Sequence, residues 1–438
     1  MNFKPFVVSC LLVFFAGAVF AQEPETRKLT IDELFALAEQ NSPQLQVSKA
    51  GMEIADERKA LAQTQKRPNV SASAAASYIG DVAILNPNFS ELQHVKMPHF
   101  GNSFTVQASQ VIFKGGAINK TIEKAGLEQE TARLSFDKNR GDIKLLLVAR
   151  YADLYRLAKQ EAVYKKHIEL AKVRLKNINN MFREGMVTRN DLIRSELQIT
   201  NLEQALIEIK NNLAITNQQL RVIAGLPSGT TIMPDSNFLQ TKRPDQSYEQ
   251  YLELALSNYP ELKASQVNSE IARKNLEISK AERLPTVSLQ AGNSLARPIV
   301  SASPAMDLYS RGWNAGVSIS YNISSLYNSK HSIGVADAQL NQQQQLVTLQ
   351  RQNLETDVNT AFIKYNEAQQ RSASFGKGVQ LANENYRIVS KKYLEQLALI
   401  TDMLDASNAK LDAELQLTNA DATIIYTYYQ LQRLAGNL

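Results

Sequence analysis

The run YKKHIELAKVRLKNINNMF, residues 164–182, decides the fold. Its apolar positions Tyr164, Ile168, Ala171, Leu175, Ile178 and Phe182 advance in steps of 4, 3, 4, 3 and 4. That spacing is the seam of a coiled-coil helix. Working outward, no proline occurs between Pro98 and Pro227, so the helix is expected to begin at Ala117 and run to about Phe182. At ~1.5 Å per residue it reaches roughly 100 Å, whereas an ordinary globular helix has ~11–12 residues. Gly126 and Gly141 lie inside it, each costing ~1 kcal/mol against alanine.

Downstream, Phe182 to Gly185 ends the helix, and Asp191-Leu192 opens a return helix that runs to Gly225. Its seam is Leu192, Ser195, Ile199, Leu202, Leu206, Ile209 and Leu213. Upstream, a helix from Ile31 ends near Asn41, and Pro43 opens a second that Pro68 stops. Then Val70, Ala72, Ala74, Ala76 and Tyr78 alternate with Ser71, Ser73, Ala75 and Ser77, the period-two pattern of a strand. After a loop from Ile79 to Phe100, Phe104, Val106 and Ala108 alternate with Thr105, Gln107 and Ser109.

The order then repeats. Ala38, Asn41, Pro43, Leu45 and Pro68 recur 217 residues later as Ala255, Asn258, Pro260, Leu262 and Pro285. Val106, Asp191, Ala224 and Gly225 recur 211 residues later as Val317, Asp402, Ala435 and Gly436. The difference, 217 − 211 = 6, assigns a longer loop to the first strand pair. The second repeat supplies a third strand at Val287–Ala291 and a fourth at Trp313–Ile323. In the fourth, Trp313, Ala315, Val317, Ile319, Tyr321 and Ile323 face one way, and Asn314, Gly316, Ser318, Ser320 and Asn322 the other. A second unbroken helix is expected over about Asn328–Tyr393. The expected organisation is a signal peptide over 1–21, a first repeat over 22–225, a linker over 226–246 and a second repeat over 247–438.

Met1 to Ala21 has Lys4 near its start, an apolar core from Phe6 to Phe20, and small residues before Gln22, the pattern of a signal peptide. The only cysteine, Cys10, falls inside it, so the mature chain has neither disulfide nor cysteine ligand. Loss of Lys4 takes the formal charge from +5 to +4, a mild basicity that points away from nucleic acid. No later run is long and apolar enough for a membrane helix. An exported chain of this kind is either soluble or spans by β-barrel. Four strands do not close a barrel, since single-chain bacterial barrels start at ~8 strands. Three copies would give twelve strands, with apolar side chains outward and Ser, Thr, Asn and Gln inward.

At this point the chain resembles the TolC-like outer-membrane efflux proteins. The resemblance covers the whole mature sequence and rests on the duplication, the helix-opening prolines and two turn motifs. These are Phe182-Arg-Glu-Gly-Met-Val-Thr-Arg-Asn-Asp191 and Tyr393-Leu-Glu-Gln-Leu-Ala-Leu-Ile-Thr-Asp402. It implies a mainly α fold with a β-barrel portion. The expected assembly is a homotrimer with a 12-stranded transmembrane barrel in outer-membrane lipid, continued by a periplasmic barrel of coiled coils. It further implies a periplasmic adaptor and an inner-membrane transporter as partners, with no cofactor.

The turns carry the candidate site. Asp402 and Asp405, three apart, share one helix face. Threefold symmetry would set six carboxylates around an axis, a ring that favours cations. By the resemblance, Asp402 and Asp405 form the pore constriction, and Asp191 and Tyr393 help hold it shut. Gly185, Met186, Gln396 and Leu397 are the expected adaptor-docking tips. Two positions depart from the family pattern: Gln396 replaces the glycine kept at Gly185, and Ala398 stands where a gating arginine is expected. Arg189 or Arg194 is the expected substitute. Asp402 also suits helix capping.

His94 and His99 lack a third ligand in the sequence pattern, so no metal site is assigned; His167 and His331 read as solvated helix residues. No nucleophile–base set or phosphate-cradling glycine loop is present, and the sequence points to no enzyme. The reading is a passive exit duct. The alternative is a periplasmic structural coiled-coil protein that never enters a membrane.

Overall fold

Both long helices are unbroken. The structure, a computed structural model, describes residues 26–227, 229–235, 246–302 and 304–438. The signal peptide and most of residues 236–246 in the expected linker therefore lie outside the described residues. Within the described residues β1 (Thr26–Leu29), α1 (Ile31–Asn41), α2 (Pro43–Thr64) and β2 (Asn69–Tyr78) are followed by β3 (Val82–Leu85) and β4 (Glu91–Val95). Next come β5 (Phe100–Lys114), α3 (Ala117–Arg183), α4 (Arg189–Ala224) and β6 (Thr231–Pro234). The second half holds α5 (Tyr248–Asn258), α6 (Pro260–Ala281), β7 (Thr286–Arg297), β8 (Ser310–Ser320), α7 (Ser325–Leu394) and α8 (Ile400–Leu434). The α3 and α7 helices have 67 and 70 residues.

The two halves match element by element. The α2 and α6 helices both have 22 residues, and their starts are 260 − 43 = 217 apart. The ends of α3 and α7 are 394 − 183 = 211 apart. The extra length of the first half falls between β2 and β5, where the expected loop contains the β3–β4 hairpin. Strand four is corrected at its end: β8 stops at Ser320, so Tyr321 and Ile323 lie beyond the strand.

The chain forms two compact units, Met1–Asn41 with Ala149–Thr241 and Phe375–Ala422, and Ser42–Val148 with Lys242–Ser374 and Thr423–Leu438. In the first unit the seam of residues 164–182 packs largely as its spacing predicts. Ile168, Ala171, Ile199 and Leu202 are buried together, with Tyr164, Leu175 and Leu206 at their margin. Each isoleucine or leucine among them, fully buried, contributes ~1.5–3 kcal/mol. Phe182 departs from the seam and is exposed. A parallel β1–β6 pair, not foreseen in the sequence, is tied to α3 by Tyr151. The buried Tyr151 hydroxyl donates to the Leu29 carbonyl at 3.0 Å and accepts from the Asp235 N–H at 2.7 Å. Burial pushes its pKa up to about 12.

In the second unit Tyr251, Ala255 and Leu262 bury against Leu354, Val358, Ala361 and Tyr365 of α7 and against Leu431 and Ala435. Gly141 has its explanation here. A Cβ at that position would lie 2.6 Å from Nε of Arg433. The buried Arg433 donates through Nη2 to Asp142 at 2.9 Å and to Glu261 at 2.6 Å. A mid-helix glycine is thus the clearance for an arginine crossing it.

The unit also carries an antiparallel four-stranded sheet in the order β2-β5-β7-β8. The register runs Ala72↔Val106, Val106↔Asn293 and Asn293↔Trp313, and one residue along, Ser73↔Thr105, Thr105↔Ser294 and Ser294↔Gly312. Side chains alternate across the pleat. One face therefore presents Val70, Ala74, Phe104, Leu289, Trp313, Val317 and Ile319. The other presents Ser71, Ser73, Thr105, Gln107, Ser294, Asn314 and Ser318. Large apolar residues on the first face are exposed, Trp313 at 79% and Ile319 at 71%. Among the described residues no strand pairs with the outer edges of β2 and β8 in this sheet.

Candidate functional site

The turns between the long helices are built alike. Gly185 N–H donates to the Phe182 carbonyl at 3.0 Å, and Met186 N–H to the Met181 carbonyl at 2.8 Å. In the second repeat Gln396 N–H donates to Tyr393 at 3.0 Å, and Leu397 N–H to Lys392 at 2.8 Å. Both are Schellman closures, which need a left-handed residue after the helix. Gly185 has φ 70° and Gln396 has φ 62°. The sequence departure at Gln396 thus preserves the conformation while placing a side chain where L-residues are disfavoured by ~1–2 kcal/mol.

The two turns differ again at the next helix start. Asp191 accepts at Oδ2 from the Thr188 N–H and hydroxyl, each at 2.8 Å, and the Thr188 hydroxyl caps the Asp191 N–H. This capping box closes the N-terminus of α4. In α8 the Asp402 carboxylate accepts from the Leu399 N–H at 3.0 Å. Leu399, 399 − 188 = 211 residues after Thr188, has no hydroxyl to return the bond. Asp402 therefore serves as half of a capping box.

Asp402 and Asp405 are both exposed, while Met403 and Ala406 between and beyond them are buried. The i, i+3 spacing does set the two carboxylates on one outward face of α8. Gly185, Met186, Gln396 and Leu397 are all exposed, Met186 at 50% and Leu397 at 72%.

Tyr393 points inward. It is buried with Ile178, Ile400 and Met403, a cluster bordered by Val187, Leu192, Tyr386 and Ala398. This cluster holds the two turns against each other. The Tyr393 hydroxyl meets no hydrogen-bond partner among the described residues. Burial raises its pKa, the Asp191 charge adds to the rise, and the Arg174 charge opposes it. Asp191 is engaged by Thr188 instead, so these two side chains are neighbours without a direct bond.

Arg189 and Arg194 are exposed. A third arginine, Arg174, which the sequence reading passed over, acts electrostatically on Tyr393. It is 7% exposed and donates through Nη2 to Gln198 Oε1 at 2.6 Å. His167, expected in solvent, is corrected. It is buried, and its Nε2 lies 2.9 Å from Glu414 Oε2. His331 is exposed, as expected. In the β3–β4 region His94 and His99 lie 3.4 and 4.0 Å from Asp81. No set of three or more residues there or elsewhere among the described residues is arranged to hold a metal ion. None of the described helices is long and apolar enough to cross a membrane.

The family model described as outer membrane efflux protein matches residues 251–437. The outer membrane efflux protein BepC of Brucella suis biovar 1 (strain 1330) is 21% identical, over 97% of this chain and 89% of that protein. Among solved structures, the outer-membrane channel OprN superposes with a TM-score of 0.79 at 17% identity, covering 93% of this chain and 90% of that one. VceC of Vibrio cholerae gives 0.76 at 16% identity, covering 93% and 96%. In its second half by family model, and over nearly its whole length by these relatives and folds, the chain is similar to the TolC-like outer-membrane efflux proteins.

Proposed function

We propose that the chain is the outer-membrane exit duct of a tripartite efflux or type I secretion system. It would conduct cargo passively from an inner-membrane transporter and a periplasmic adaptor to the exterior. The carrying observation is the open-edged sheet with one apolar and one small-polar face. Unpaired backbone groups cost several kcal/mol each in hydrocarbon. A homotrimer removes both edges by pairing β2 of one copy with β8 of the next, giving a 12-stranded barrel in outer-membrane lipid. The helices then continue as a periplasmic α-barrel.

In this reading Asp402 and Asp405 form the constriction. Gly185, Met186, Gln396 and Leu397 meet the adaptor. Asp191 and Tyr393 set the closed state from behind the opening, one by fixing the start of α4 and the other by joining the two turns. The domain limits follow: a signal peptide over 1–21, repeats over 22–225 and 247–438, and a linker over 226–246. Transport itself requires no catalytic group.

Cell fractionation tests the reading. The chain is expected in the detergent-extracted outer membrane as a heat-modifiable trimer. Recovery of the whole pool from the soluble periplasm would favour a structural coiled-coil protein instead.

A further inference from the structure

Among the described residues the polar face of the sheet carries one charged residue, Lys114, where β5 runs into α3. Lys114 stands in register with Thr286, and Thr286 with Ser320. All three line a cavity of about 410 Å³ in the second unit. Three helix ends reach the same cavity. The α3 helix begins there at Ala117 and α7 at Ser325, whereas α6 ends there at Ala281. Gly115 permits this approach: it has φ 58°, and a Cβ on it would lie 2.9 Å from the Ala281 carbonyl oxygen. Glu282, the C-cap of α6, brings a carboxylate to the lining.

Neither charge is neutralised within the chain. The Lys114 and Glu282 side chains are exposed, and neither forms an ion pair or a hydrogen bond among the described residues. Ser325 is 8% exposed, and its hydroxyl is buried without a partner among them. Buried polar groups are normally hydrogen-bonded, so this one calls for a ligand or a water. Helix N-termini favour negative charge and helix C-termini positive charge. The cavity is therefore bipolar: Lys114, Ser325 and two helix starts suit an anion, and Glu282 at the end of α6 suits a cation. We propose that it binds a small zwitterion, a solute of dipeptide size with one carboxylate and one ammonium. The volume is that of a small-molecule site. The carboxylate accepts from the Lys114 ammonium and the Ser325 hydroxyl, and the ammonium donates to Glu282. The Thr286 and Ser320 hydroxyls serve the polar groups between. An anion alone leaves Glu282 unmatched, and a cation alone leaves Lys114 unmatched. The inference deepens the duct reading and rests on it only for the route by which the solute arrives.

The test uses the full chain in detergent and three probes of one backbone length: dialanine, its N-acetyl form, which is an anion, and its amide, which is a cation. Equilibrium dialysis should show saturable binding of dialanine, with each blocked form about fivefold weaker, the effect of one partly exposed charge pair. Lys114→Gln should weaken dialanine and the N-acetyl form and leave the amide unchanged. Glu282→Gln should weaken dialanine and the amide and leave the N-acetyl form unchanged. Ser325→Ala should weaken the two probes that carry a carboxylate. Absence of saturable dialanine binding would overturn the proposal and leave water as the partner of Ser325. Equal binding of dialanine and its N-acetyl form would overturn it in favour of a simple anion site. Dialanine binding by a chain that fractionates with the soluble periplasm would refute the duct and leave the cavity assignment standing.

Discussion

The α7–α8 turn should be the weaker of the two, and repairing it should be measurable. Two features set it apart from the α3–α4 turn. Gln396 occupies a left-handed position, at φ 62°, that Gly185 fills in the other repeat at φ 70°. Leu399 stands where Thr188 completes a capping box. Glycine in place of Gln396 removes a steric term of ~1–2 kcal/mol, reduced by the extra freedom glycine brings to the unfolded turn. Threonine at 399 supplies a cap acceptor worth ~1 kcal/mol. Together Gln396→Gly and Leu399→Thr should stabilise the turn by about 2 kcal/mol, which slows local opening roughly 30-fold, since ~1.4 kcal/mol is a factor of ten. Exchange of the Leu397, Asp402 and Met403 amides, followed by mass spectrometry, reads this directly. The mirror variants Gly185→Gln and Thr188→Leu should loosen the first turn by a similar amount. Equal exchange in the parent and the repaired chain would show that tertiary contacts of Tyr393 and Met403, and not the turn chemistry, set the stability here.

Three further outcomes are expected. Val317→Arg, on the apolar face of β8, should block outer-membrane insertion at a cost of ~2–4 kcal/mol, whereas Ser318→Arg on the polar face should insert normally by membrane fractionation. Asp402→Ala with Asp405→Ala should remove block by a trivalent cation in planar-bilayer recordings and lower cation preference, and in the parent that block should weaken as salt rises. Gly225→Ala and Gly436→Ala should destabilise far more than Gly185→Ala in thermal unfolding. All three have positive φ, but an added Cβ would meet Asn41 O at 2.5 Å and Asn258 Cβ at 2.6 Å, against open space at Gly185.

Long-period and period-two patterns carried most of the fold. The heptad seam of α3, the 217- and 211-residue offsets and the strand alternation needed no tertiary information, because apolar residues recur along each element at that element's own period. What escaped the sequence was short or non-local. Thr26–Leu29 and Thr231–Pro234 are four residues each and pair across 231 − 26 = 205 residues. Val82–Leu85 is apolar without alternation, so its hairpin had no periodic signal. Arg174 was legible only in hindsight. It lies three residues after Ala171 and four before Ile178, both buried, so the seam passes through it. A charged residue in such a step pattern reads as solvated until the facing helices are in place. The capping roles of Asp191 and Asp402 were half legible, since the spacing from Thr188 is local, whereas the orientation of Tyr393 depends on packing against Ile178 and Ile400.

The free edges of β2 and β8 also bear on inheritance. In the proposed trimer every copy lends one edge to each neighbour, so a copy damaged at either edge spoils the ring it joins. If damaged and sound copies were made in equal amounts and mixed at random, roughly one ring in eight would contain only sound copies. A lesion on one ten- or eleven-residue strand would then behave as dominant, though the damaged chain itself performs no harmful act.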